Sequence, residues 1–284
     1  MTFERPLLSA RLSVDYPKKP GVLREIRVDL EPGEILGLVG QSGSGKSTLA
    51  LALMGLLPLK GAIVLGEVVF QGEDLLQKTE RQLRTIRGRR MSIVLQSPLT
   101  SLNPALSVGT QLQEAWRAHA GGTRDECLAA VRSALQSVSL QGENEFLRRR
   151  PSQLSVGQGQ RVTIAMAILH RPALLIADEA TSALDTITQS EILRLFERLN
   201  REMGMAILYI SHDLLSVAAL CHRIAILQDG RIVECDSPEN IFEAPRHEYT
   251  RRLVDALPRP PFRRDCKSDI AYDVDKRLVE HSSS

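Results

Sequence analysis

Gly40-Gln-Ser-Gly-Ser-Gly-Lys-Ser47 constrains this chain more than any other stretch. It reads Gly-x-x-x-x-Gly-Lys-Ser, filling every fixed position of a phosphate-binding loop. The flanks agree with it. Glu34-Ile-Leu-Gly-Leu-Val39 is an apolar run of strand length, and Ser47-Thr-Leu-Ala-Leu-Ala-Leu-Met54 consists largely of good helix formers. Strand, glycine-rich turn and helix start together make an anion cradle. The glycines let backbone N–H groups curl inward, and the positive end of the helix faces bound phosphates. Gly40, Ser42, Gly43, Gly45, Lys46, Ser47 and Thr48 are therefore candidate nucleotide contacts. Lys46 would reach the β- and γ-phosphates, and the Ser47 hydroxyl would ligate Mg²⁺. A flexible Gly/Ser linker would explain the glycines but neither flank. The ligand predicted is a nucleoside triphosphate.

The rest of the composition narrows the class. At 284 residues the chain is long enough for one or two domains with a sizeable core. Its 43% hydrophobic and 25% charged residues are those of an ordinary globular protein. A net charge of +2 argues against nucleic-acid binding through bulk charge. Cys127, Cys221, Cys235 and Cys266 lack paired metal spacing and read as reduced thiols of a cytosolic protein. No stretch approaches the ~18 apolar residues that cross a bilayer. No signal-peptide core follows the N-terminus. Any work at a membrane would be that of a peripheral subunit.

Along the chain, Leu7 to Val14 and Leu23 to Leu30 read as two strands ahead of the loop, predicting a small antiparallel sheet. Tyr16 stands at the turn between them. Gly66 to Phe70 and Met91 to Leu95 are further strands, and the basic run from Glu80 to Arg90 between them reads as a solvated helix face. Gln96-Ser-Pro-Leu-Thr-Ser-Leu-Asn-Pro104 is a polar loop at a strand end, where sites sit in open α/β sheets. From Val108 to about Leu147 the pattern is helical, with Leu128, Val131, Leu135 and Val138 on one face, predicting a separate helical lobe.

Leu154-Ser-Val-Gly-Gln-Gly-Gln-Arg161 leads into a helical run from Val162 to Leu169, followed by the strand Leu174-Leu-Ile-Ala-Asp-Glu179. Two carboxylates at the end of a strand beside a phosphate loop suit phosphoryl chemistry. Asp178 would hold the metal, and Glu179 would orient and polarise the attacking water. Ile192, Leu195, Phe196 and Leu199 form a clean helix face. Ala206 to Ile210 is a buried strand ending at Ser211-His-Asp213, where His212 can contact the γ-phosphate. Asp229-Gly230 predicts a hairpin turn, Ser237-Pro238 a helix start, and Glu248 to Leu257 a short helix. The tail from Pro258 is rich in proline and charge and reads as loosely ordered.

Taken in this order, the motifs resemble the nucleotide-binding subunits of ATP-binding cassette transporters. They comprise the phosphate loop, Gln96, Leu154 to Gln158, Asp178-Glu179, Ser182-Ala-Leu-Asp185 and His212. The resemblance covers roughly residues 5–257. It implies an α/β fold: a RecA-like P-loop NTPase core with an antiparallel β subdomain and a helical signature subdomain. The cassette would span 1–257, with the helical part at about 97–165 and a C-terminal tail at 258–284.

It further implies that two subunits sandwich two ATP molecules head to tail. Ser155, Gly157 and Gln158 of the signature would complete the partner's site, and Asp185 would also contact nucleotide. Gln96 would join Ser47 and Asp178 on Mg²⁺, and Tyr16 would stack on adenine. A narrower resemblance, to the oligopeptide, dipeptide and nickel importers, rests on Gln96 to Pro104 and on Pro245-Arg-His-Glu-Tyr-Thr-Arg-Arg-Leu253. Three departures stand out. Val156 replaces a signature glycine, Ser97 replaces an acidic residue, and Cys266 stands without the cysteine cluster some members carry.

The implied role is a transport ATPase with catalytic residues Lys46, Gln96, Glu179 and His212. Its implied partners are a second ATPase subunit of different sequence, two transmembrane permease subunits and, indirectly, a periplasmic or extracellular substrate-binding protein. Its place would be the cytoplasmic face of the inner membrane. A soluble cassette protein acting on ribosomes or nucleic acid is the competing class. Soluble translation factors of this type carry two cassettes and repair relatives carry long coiled coils, and this chain has one phosphate loop and no sustained heptads.

Overall fold

Leu8, Ala10, Leu12 and Val14 alternate with more exposed residues, and this period of two becomes a strand with one buried face. The structure, a computed structural model, describes residues 6–257. Strand β1 (Leu8–Tyr16) pairs antiparallel with β2 (Lys19–Leu30), after which β3 (Ile35–Val39) delivers the glycine loop and α1 (Lys46–Leu53). β4 (Ile63–Phe70) and β5 (Glu73–Asp74) complete a four-stranded antiparallel sheet of order β2-β1-β4-β5. Next come α2 (Glu80–Ile86) and β6 (Met91–Val94), then helices with no strand between them: α3 (Pro98–Ser101), α4 (Val108–Arg117), α5 (Arg124–Ser137), α6 (Asn144–Arg148) and α7 (Val156–Ile168). The chain returns through β7 (Leu174–Asp178), α8 (Thr186–Met203), β8 (Ala206–Ser211) and α9 (Leu214–Leu220). The hairpin β9 (Arg223–Gln228) and β10 (Arg231–Asp236) follows, then α10 (Pro238–Glu243) and α11 (Glu248–Asp255).

The second sheet has the order β10-β9-β3-β8-β7-β6, parallel except for the antiparallel edge strand β10. Every residue of β3, β7 and β8 is buried, which explains why those strands read as unbroken apolar runs: both faces of the sheet are covered. On one face Ile35, Val39, Ala177, Ile207 and Tyr209 pack with Val162, Ile192, Phe196 and Val217 of the helices. On the other, Leu36, Leu38, Ile176, Leu208 and Leu227 pack with α1 and with Leu12, Ile26 and Phe70 of the antiparallel sheet. Each fully buried side chain of this kind contributes about 1.5–3 kcal/mol. At Gly37 a Cβ would collide with Val217, so α9 lies directly on β3.

Register places the chemistry. Val39 aligns with Ser211 and Asp178 with Ile210, so the phosphate loop, the two carboxylates and His212 all leave the same edge of the sheet. Ligands of open α/β sheets bind outside that carboxyl edge.

The predicted layout holds, with four local corrections. β4 starts at Ile63 rather than Gly66, and the helical run read from Val162 extends back to Val156, with Ser155 at its start. In α5, Cys127 rather than Leu128 joins Val131 and Leu135 in the core, because α5 packs against both α4 and α7 and Cys127 is the residue turned inward. The basic run after Glu80 is not merely solvated. Arg87 donates to the carbonyls of Met54 and Gly55 at 2.7 Å each, closing the end of α1, and forms an ion pair with Glu80. Cys127, Cys221 and Cys235 are free cysteines. Cys266 and the expectation for the tail after 257 lie outside the described residues. Among the described residues no helix is long and apolar enough to cross a membrane.

Candidate functional site

Gly45 holds φ at +110° as it hands the chain to α1, and Gly43 holds φ at +81°, conformations that L side chains resist. A Cβ on Gly45 would lie 2.6 Å from the Leu23 side chain, and one on Gly40 would strike the Leu227 carbonyl. The loop is thus pressed against β2 and the β9–β10 hairpin. The Gly230 N–H donates to the Ser44 carbonyl at 3.1 Å. Lys46, only 5% exposed, folds back so that its ammonium donates to the carbonyls of Gly40 at 2.8 Å and Gln41 at 3.0 Å.

In front of the loop lies an open cleft of about 500 Å³. It gathers Tyr16, Ser42, Gly43, Gly45, Lys46, Ser47, Thr48, Gln96 and Glu179, all named from the sequence. Lys19 and Val22 also line it. They belong to a hairpin whose approach to the loop no local pattern encodes.

Glu179 sits at the centre of the charged groups. One carboxylate oxygen lies 3.7 Å from the Lys46 ammonium. The other accepts from the Gln96 amide at 3.1 Å and lies 3.5 Å from His212 Nδ1. Its backbone is left-handed at φ +49°, a conformation costing on the order of 1 kcal/mol for a non-glycine. Three hydrogen bonds hold it there. The Glu179 N–H donates to the Ile210 carbonyl, and the Ser182 N–H and hydroxyl donate to the Glu179 carbonyl.

Asp178 is 7% exposed, and its Oδ1 has no hydrogen-bond partner among the described residues. Burial pushes its carboxyl above its ordinary value, the Ser47 hydroxyl pulls it down, Glu179 pushes it up again, and Lys46 opposes that. A buried carboxylate oxygen without a partner, beside a serine hydroxyl, is the hard oxygen donor set that a divalent cation such as Mg²⁺ takes. These residues fit Mg²⁺.

Four of the sequence-predicted residues lie elsewhere. Ser155 caps α7 by accepting from the Gln158 N–H at 3.1 Å, while the Gln158 side chain accepts from the Ser155 N–H at 3.2 Å. Gly157 abuts α8 so closely that a Cβ would lie 2.9 Å from the Thr188 methyl. Asp185 caps α8, accepting from the Thr188 N–H at 3.0 Å and the Thr188 hydroxyl at 2.7 Å, which holds its carboxyl below the ordinary range. None of the four lines the cleft. Together with exposed Val156 and Ile187 they form a surface at the starts of α7 and α8. Two further contacts were not read from the sequence. The Tyr249 hydroxyl accepts from the Gln41 N–H, and buried Tyr209 shares a 2.8 Å hydrogen bond with Thr181.

A glycine-rich loop between β3 and α1 and a carboxylate pair at the end of β7 define a P-loop nucleotide-binding fold. The ABC transporter family model matches residues 23–182, and the chain belongs to the ABC transporter family. It is 42% identical over 243 residues to the glutathione import ATP-binding protein GsiA of Salmonella typhimurium, covering 84% of this chain and 39% of that protein. The chain thus spans about two fifths of the length of that relative. It is 43% identical to the probable peptide ABC transporter ATP-binding protein y4tR of Sinorhizobium fredii, covering 82% of this chain and 70% of y4tR.

Among solved structures, cbiO1 of Clostridium perfringens, part of the ABC transporter complex cbiONQ, superposes with a TM-score of 0.74. It is 26% identical, covering 89% of this chain and 96% of that one. A dimeric ATP-binding cassette in a post-hydrolysis state, bound to ADP and Pi, matches with a TM-score of 0.70 at 27% identity, covering 81% and 98%.

Proposed function

We propose that this chain is the ATP-hydrolysing subunit of an importer for peptide-class substrates, working at the cytoplasmic face of the inner membrane. The observation that carries this reading is Glu179 held between Lys46, Gln96 and His212 at the mouth of the phosphate loop. Relatives named for glutathione and peptide import support the substrate class.

In this reading the loop amides and Lys46 bind the phosphates, and Tyr16 stacks on the base. Ser47, Asp178 and Gln96 would hold Mg²⁺, which would supply positive charge to offset that of the phosphates. Glu179 accepts a proton from the attacking water while orienting its oxygen toward the γ-phosphorus. The bond to the β–γ bridging oxygen breaks, and ADP leaves with the electron pair. His212 donates to the γ-phosphate from the neighbouring strand end.

The surface formed by Ser155, Gly157, Gln158 and Asp185 closes over the ATP of a second ATPase subunit, and that subunit's equivalent surface closes over this one. This explains why those residues stand apart from the cleft of their own chain. We take the second subunit to be a different chain because Val156 puts a branched side chain where close phosphate approach favours glycine. The remaining partners are two permease subunits and, through them, a substrate-binding protein. The Gln96 loop and the helices after it dock the permease. Lys46→Ala tests the core of the reading: binding of a fluorescent ATP analogue should be lost, and binding equal to that of the parent would overturn it.

A further inference from the structure

Gln41, the second residue of the phosphate loop, is held on both sides of its backbone. Its carbonyl accepts from the Lys46 ammonium at 3.0 Å, and its N–H donates to the Tyr249 hydroxyl at 3.2 Å. The first contact stays inside the loop, while the second comes from α11, 208 residues away in sequence. Tyr249 is 5% exposed, so water competes little for its hydrogen bond. It does not line the nucleotide cleft. Its own position is fixed from β10. Glu234 accepts from the N–H groups of Arg246 at 2.8 Å and His247 at 3.0 Å. The His247 ring then accepts from the Tyr249 N–H at 3.2 Å and caps α11.

We propose that Tyr249 is a positioning residue for nucleotide binding, through which the seating of α11 sets the affinity of the phosphate loop for ATP. The inference rests on the reading of Gly40 to Ser47 as the ATP site. A glycine-rich loop has many backbone states, and few of them aim its amides at a phosphate. Restricting those states before the ligand arrives lowers the ordering cost of binding. Neither Gln41 nor Tyr249 lines the cleft, so the Tyr249 hydroxyl does not compete with phosphate for a donor. It therefore persists when Lys46 turns from the Gln41 carbonyl to the nucleotide. With Gly230 on the Ser44 carbonyl, the loop is braced from behind at two points.

Tyr249→Phe keeps the ring and its packing and deletes one hydroxyl. Three quantities are measured on the full-length chain: affinity for a fluorescent ATP analogue with Mg²⁺, the thermal midpoint without nucleotide, and amide exchange at Gln41. We expect affinity to fall about three- to tenfold, the size of one net hydrogen bond. Gln41 exchange should quicken while the midpoint moves little.

Glu234→Gln should act in the same direction by a smaller factor. Adding it to Tyr249→Phe should weaken binding no further, because both changes act through one contact. Unchanged affinity in Tyr249→Phe overturns the proposal. So does a lowered midpoint with unchanged affinity, which would make Tyr249 a packing residue only. Lys46→Ala separates the two possible failures. If it binds the analogue as the parent does, the ATP-site reading falls and this inference with it. If it abolishes binding while Tyr249→Phe leaves affinity intact, this inference alone falls.

Discussion

The Gln96 amide donates a 3.1 Å hydrogen bond to the carboxylate of Glu179, joining the exits of two neighbouring strands directly above the phosphate loop. The register makes the meeting unavoidable. Val94 of β6 lies beside Ala177 of β7, so the residues two steps further along each strand leave the sheet side by side. The loop that follows β6 and the carboxylate that follows β7 are therefore mechanically one unit.

Glu179→Gln should keep ATP affinity near that of the parent and lower hydrolysis by about 10²–10⁴-fold, the usual contribution of a positioned base. The amide still fits the space and can still meet Gln96, but it cannot take the proton from water. Filtration sizing with ATP and Mg²⁺ should reveal a trapped dimer with the second ATPase subunit. Near-normal phosphate release would remove Glu179 from its role.

Gln96→Ala removes the link between the strand end and the helices beyond it. Transport by the assembled complex should fall much more than ATP binding by the isolated chain. The parent's ATPase rate should rise when permease and loaded binding protein are added, and that rise should shrink in the variant. Equal losses in binding and transport would make Gln96 a nucleotide contact alone.

Val156 is 39% exposed at the first turn of α7, on the surface assigned to the partner's ATP. Val156→Gly should raise the ATPase rate of the assembled transporter by relieving the Cβ near the phosphate. An unchanged rate would show that the valine side chain is tolerated and would remove the argument for an unlike partner.

Gly157 is different, because its constraint comes from within the chain. Gly157→Ala places a methyl 2.9 Å from Thr188 Cγ2 and should cost about 1–3 kcal/mol as an overpacked contact. Thr188→Ser in the same chain deletes that methyl but keeps the hydroxyl bonded to Asp185, so it should recover most of the loss. Urea unfolding of the single and double variants measures both terms, and a double variant no more stable than Gly157→Ala would refute the clash.

Glu234 gives the pH dependence. Burial raises its carboxyl, but the hydrogen bonds it accepts outweigh that and hold it below the ordinary value. A carboxylate whose folded pKa is depressed adds stability above its unfolded pKa, about 4.3, and loses it as pH falls through the folded value. Glu234→Gln should therefore cost about 1 kcal/mol at pH 7, discounted for partial exposure, or a few degrees in thermal midpoint. The gap from the parent should close as pH falls below about 4. A gap that stays constant with pH would mean that charge is not what seats α11.

Much of this protein was legible locally. The glycine loop, the apolar strand ending in Asp178-Glu179 and the α8 face of Ile192, Leu195, Phe196 and Leu199 are patterns of near neighbours, and backbone geometry alone converts them into structure. The start of α7 was less so. Gly157 and Gly159 are poor helix formers, although Ser155 and Gln158 carried a capping box that marks the helix at Val156.

Other features depended on packing between distant segments. Cys127 rather than Leu128 enters the core because the neighbouring helices α4 and α7 together fix the rotation of α5, and no single helix encodes its own phase against another. The same holds for Arg87 closing α1, Thr188 filling the space beside Gly157, and Tyr249 reaching the Gln41 amide. By itself the sequence determined the phosphate loop, because phosphate binding needs glycines, a lysine and a serine at close fixed spacing. The tertiary structure alone decided which groups touch it. Those contacts join residues far apart in the chain, and only the register of the parallel sheet and the seating of α11 bring them within hydrogen-bond reach.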